Sequence, residues 1–145
     1  MAWRSKSWND NPTKTAITNP QRSPVNSMSK MTLPSGYKWL VDRALVGYEP
    51  FTQLQPWHYL PLDQCFWASD RWPNVTDKRL LAFAKRQDCD DLACFIVGDR
   101  GGIQGIALIH GWTPSGYDFD REFTDFWAWL KYVVDEIANW VTSAE

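Results

Sequence analysis

Hydrophobic and polar positions alternate differently in successive stretches of the chain, and each pattern predicts an element. Residues 1–30 show neither a 3.6 nor a 2.0 period and are rich in Ser, Thr, Asn and Pro, so they read as a mobile tail. Trp3 and Trp8 are out of keeping there and are expected to dock on the body. Met28 or Met31 would serve as a natural start. The Ser content and scarcity of acids are those of a transit peptide, but no amphipathic helix supports that reading. In LPSGYKWLVDRALVGY, Tyr37, Leu40, Val41, Ala44 and Leu45 recur at helical spacing. Pro34 suits a first turn, and Gly47 is placed to stop the helix. The next stretch, 49–73, is dense in aromatics and broken by Pro50, Pro56, Pro61 and Pro73. It is expected to be irregular, with short strands or a helical turn pinned by its tryptophans.

Three short apolar runs follow, 80–86, 91–97 and 103–109, of a length that suits a meander of strands. GDRGG between the second and third offers glycines for a hairpin loop. In the second run Leu92, Cys94 and Ile96 face one way and Ala93, Phe95 and Val97 the other. In the third, Ile103, Ala107 and Ile109 oppose Ile106 and Leu108. Both faces are apolar, so both require cover. The last element is DFDREFTDFWAWLKYVVDEIANWV, read as one helix capped by Asp118 or Asp120. Phe123, Phe126, Trp127, Leu130, Val134, Ile137 and Val141 form its core face, with Trp129, Tyr132 and Trp140 on a shoulder beside it. Together these elements predict an α+β domain over 31–145, an antiparallel or mixed sheet with flanking N- and C-terminal helices.

Composition narrows the function classes. With 145 residues, 44% hydrophobic and ten tryptophans, the chain is long and apolar enough for one domain that folds without disulfide or metal. No run reaches the roughly 18 apolar residues of a membrane span, and no secretory signal opens the chain. Three cysteines (Cys65, Cys89, Cys94) make no framework and read as free thiols in a reducing cytoplasm. Charge is split: five basic groups (Arg4, Lys6, Lys14, Arg22, Lys30) face only Asp10 in 1–30. That leaves ten basic and sixteen acidic residues in 31–145, a net of −6 within a whole-chain −2. An acidic domain disfavours nucleic acid and favours a basic protein partner.

In a meander, the turn at 87–91 and the segment after the third strand lie at the same end of the sheet. Asp88, Asp90 and Asp91 are therefore expected near His110, Trp112, Tyr117, Asp118 and Asp120. The cluster lacks calcium-loop spacing, and Cys89 and Cys94 do not have zinc-knuckle spacing, so neither metal nor cofactor is expected. His58 and His110 are the only neutral-pH bases, and TPSGYD lacks the G-x-S-x-G frame around Ser115. Asp88 and Asp90 are expected to make turn hydrogen bonds and Asp91 to start a strand. Beyond that structural use, the expected site is a recognition surface. Asp88, Asp90, Asp118 and Asp120 steer a basic partner and Trp112 and Tyr117 anchor it. A small hydrolase using His110 with a carboxylate is the alternative.

The order LPSGYKWLV, PWHYLP, RLLAFAKRQDCDDLACF, a glycine turn and DFDREFTDFWAWL resembles the SUKH superfamily, over roughly residues 32–140. That group includes fungal cell-wall-assembly regulators and many bacterial immunity proteins. The resemblance implies a mixed α/β-type domain without a catalytic centre, acting by binding and in bacteria often neutralising a cognate toxin. A basic toxin domain is then the expected partner, and the chain itself a monomer or weak dimer.

Overall fold

The structure, a computed structural model, describes residues 31–45, 47–48, 56–113 and 116–144. The tail at 1–30 and Ser115 lie outside the described residues, as does the side chain of Trp112. In chain order the elements are α1 (Ser35–Asp42), β1 (Trp57–Tyr59), a 3-10 turn (Leu62–Gln64), β2 (Phe66–Trp67) and α2 (Ala68–Arg71). Then come β3 (Arg79–Arg86), β4 (Leu92–Val97), β5 (Ile103–Thr113), β6 (Gly116–Phe123) and α3 (Phe126–Ala144). The α+β reading holds.

All six strands pair antiparallel, in the order β1-β3-β4-β5-β6, with β2 also paired to β3. The expected meander is β3–β4–β5, and it continues by one strand. The stretch from Gly116 to Phe123 is not the first turns of a helix but β6, at the sheet edge. Its Tyr117 and Phe119 sit at the spacing of two that a strand uses, and a register shift opposite Leu108 and Ile109 turns Phe123 to the helix side. The helix starts at Phe126, and Asp125 rather than Asp118 or Asp120 caps it, its carboxylate accepting from the Ala128 N–H at 2.8 Å.

Both faces of the sheet are covered, as their apolar character requires. On one, Leu81, Phe83, Ala93, Phe95, Ile106 and Leu108 meet Tyr37 of α1 and Phe126, Trp129 and Val133 of α3. On the other, Leu80, Ala82, Cys94, Ile96, Ala107 and Ile109 meet Ala68, with Phe66, Trp72 and Val75 packed alongside. The proline-broken aromatic stretch thus supplies the second layer. Register shifts alter the simple parity, two of them within β3–β5. Ala82 pairs with Cys94 but Ala84 with Ala93, so Phe83 and Ala84 both belong to the helix-side core. There Phe83 stacks on Phe95 with centroids 4.0 Å apart. Ile96 pairs with Gly105 but Val97 with Ile103, which moves Ile103 to the helix side, opposite to the expected face.

The contact line of α3 is also rotated from the expected one. Trp129, assigned to the shoulder, is fully buried among Trp57, Tyr59 and Phe83. Trp127, Val134 and Val141, assigned to the core, are about half exposed. Apolar side chains cover more than half the circumference of this helix, so periodicity alone does not select the line that meets the sheet. At the other end of the layer, α1 stops before Gly47. Arg43 is its C-cap and Ala44 takes a left-handed φ of 52°. The N–H of Ala44 bonds Val41 O at 3.0 Å and that of Leu45 bonds Leu40 O at 2.9 Å, the paired bonds of a Schellman ending.

Candidate functional site

The turn between β3 and β4 and the β5–β6 hairpin meet at one end of the sheet, as a meander requires. His110, in β5, pairs with Asp118 across the β5–β6 ladder. Its Nδ1 also bonds the carboxylate of Asp91, just before β4. That bond and the Asp91 charge, with Asp120 and Asp118 behind them, raise the His110 pKa above its usual value. The imidazole is exposed, while Asp91 is mostly covered.

Each remaining acid has its own setting. Asp88 accepts two bonds from Arg86, at 2.6 Å to Nε and 3.0 Å to Nη2. Arg86 in turn reaches Glu136 on α3, so one guanidinium ties the acidic turn to the helix. Asp88 therefore shapes the turn and offers less of its charge outward. Asp90 is half-buried and lies against Gly111, where a Cβ would stand 2.7 Å from the Cβ of Asp90 and 3.3 Å from the Tyr117 ring. Only glycine allows so close an approach. Asp118 and Asp120 are exposed on β6, and Asp120 pairs with Arg121 at 3.3 Å.

Tyr117 is half-buried, its ring centroid 4.0 Å from that of Trp72. Burial raises its pKa first, with the charges of Asp90 and Asp91 acting the same way. Sequence reasoning gathered these residues because strand order fixes which turns share an end, but missed Arg86 and Trp72. Arg86 ends a strand and was visible only as a charge next to the acidic run. Trp72 comes from the second layer, which no spacing pattern connects to Tyr117.

The chemical inventory of this end is short. Burial pushes the Cys89 thiol up to about 11, so it is protonated at neutral pH. Cys94 is fully buried and its pKa is raised further. His58, the other candidate base, is buried in β1, and burial lowers its pKa. Among the described residues no three His, Cys, Asp or Glu side chains are grouped so as to hold a metal ion. No helix among them is long and apolar enough to cross a membrane. Comparison of the chain with protein-family models, curated proteins and solved structures finds no match.

Proposed function

We propose that this chain is a non-catalytic protein-binding domain whose acidic sheet end recognises a basic partner protein. One observation carries the reading: five carboxylates (Asp88, Asp90, Asp91, Asp118, Asp120) share that end with the basic side chains Lys85, Arg86, His110 and Arg121, so acids outnumber bases there. Two of the acids lie on β6, the strand at the sheet edge. An exposed charge pair in water is worth only about 1 kcal/mol at 4 Å, so the acids act mainly on encounter. Tight binding then requires buried aromatic contacts, for which Tyr117 and Trp112 are the candidates at this end.

The finer form of the proposal is an immunity-type protein that neutralises a cognate basic toxin domain in the cytoplasm, or a related regulator. It is supported by the resemblance of the apolar segments to the SUKH superfamily and by the net −6 of residues 31–145. The direct test is affinity purification of the full chain from its host, followed by mixing experiments on whatever co-purifies at one-to-one stoichiometry. A basic protein partner, released by salt, supports the reading. Failure of any protein to co-purify, or capture of nucleic acid in its place, counts against it.

A second reading has one specific observation in its favour. The bond from His110 Nδ1–H to the Asp91 carboxylate is the arrangement that orients a histidine base, leaving Nε2 for a substrate. A hydrolase built on this pair loses turnover of model esters on His110→Ala while the fold survives. A binding domain shows no turnover in either form.

A further inference from the structure

Helix α3 presents two apolar lines; the sheet takes one of them, and α1 touches the other only at Trp127. Trp127, Val134 and Val141 are 49%, 54% and 53% exposed. Their spacing of seven places them along one side of the helix over about 21 Å. A groove of about 220 Å³ opens on this line between Trp127, Leu130, Lys131, Val134 and Asp135. Its floor is built, since a Cβ on Gly36 would stand 2.7 Å from Cζ2 of Trp127, so α1 backs the indole directly. Exposed apolar residues in a continuous row mark a surface made to be covered.

The chain itself supplies a segment suited to cover it. Residues 1–30 enter the fold at Met31, which packs against the helix-side core, and Thr32, whose N–H bonds Gly101 O at 3.1 Å. Gly36, which touches the Trp127 ring, follows only five residues after Met31. From there back to Trp8 the chain can span about 75 Å at roughly 3.3 Å per residue, several times the length of the exposed line. The segment carries five basic residues and one acid, against a net −6 for the rest of the chain; at the groove itself Lys131 balances Asp135, so the local fit is apolar. Its two tryptophans are large flat apolar groups in a run of Ser, Thr, Asn and Pro, and a groove of this size takes one indole.

We propose that residues 1–30 dock on α3 of their own chain, seating Trp3 or Trp8 in the groove between Trp127, Leu130 and Val134. A covalent tether of this length holds the segment at an effective concentration on the order of mM, so even a weak contact is substantially occupied. The contact shields the exposed line from other chains and leaves the acidic sheet end uncovered. It does not depend on the partner proposed for that end.

The experiment places a photo-reactive p-benzoylphenylalanine at position 3 or, separately, at position 8 of the full chain, and maps the cross-links by mass spectrometry. Links within one chain to Trp127, Lys131, Val134 or Asp135, with a yield independent of protein concentration, are expected from at least one position. Val134→Asp, at a half-exposed position that tolerates a charge, should cut that yield at least fivefold with no change in melting. Links to a second chain or to residues 88–91 or 116–122 would overturn the proposal. So would no link from either position, or a yield unchanged by Val134→Asp.

Discussion

Asp90 packs its Cβ against the backbone of Gly111, at a place where any larger residue would leave 2.7 Å between the two Cβ atoms. This contact seats the acidic turn on β5 and next to Tyr117, so the charge pattern of the sheet end depends on a missing side chain. Gly111→Ala should destabilise by about 1–3 kcal/mol, because the turn must lift or the strand must shift. NMR resonances of Asp90 and His110 should move in the same variant. A melting curve and spectra indistinguishable from the parent would mean that the turn is loosely seated.

The His110–Asp91 pair gives a pH signature. The pKa of His110 is raised in the folded state, so the stabilisation is fully present below the unfolded value of roughly 6.5 and is lost as pH rises through the folded value. NMR titration of the His110 ring should give a midpoint above about 6.5. Asp91→Asn should move it downward, leaving desolvation, which lowers it, against the smaller raising influences of Asp120 and Asp118. A midpoint at or below the ordinary value, insensitive to Asp91→Asn, would show that the bond does not persist in solution.

Helix α3 offers a direct contrast within one element. Trp129→Ala vacates a fully buried site among four aromatic rings and should cost about 3–5 kcal/mol. Val134→Ala, on the exposed line, should stay within about 0.5 kcal/mol. The reverse order in chemical denaturation would put the helix on the sheet by its other side.

At the end of α1 the protein uses a residue that pays a conformational penalty. Ala44 holds a φ of 52° in a position that favours glycine, and it is exposed. Ala44→Gly should stabilise by about 0.5–1 kcal/mol, since relief of the left-handed strain exceeds the added freedom of the unfolded chain. Unchanged or lowered stability in denaturant titration would contradict the Schellman ending.

These variants also separate what could be read along the chain from what could not. Strands β3, β4 and β5 were legible because their apolar runs are short, dense and bounded by turn residues. The gathering of Asp91, His110, Asp118 and Asp120 followed from strand order alone. Strand β6 was hidden because its alternation carries acids and runs into the helical pattern with only Thr124 and Asp125 between. The orientation of α3 was hidden for the opposite reason, an excess of apolar residues. Ile103 changed faces through a bulge, a one-residue event that no periodicity records.

The central claim is that the acidic sheet end steers a basic partner, and its sharpest test is the association rate with the protein that co-purifies. Asp90, Asp118 and Asp120 changed together to Asn remove charge at nearly constant shape, giving up the exposed 3.3 Å pair of Asp120 with Arg121. Asp88 is left in place because it holds Arg86 against α3. At low salt this triple variant should associate about tenfold more slowly than the parent, with dissociation nearly unchanged, and salt of a few hundred millimolar should erase most of the difference. Equal association rates at low salt would contradict the account and reduce the acidic turn to a structural one.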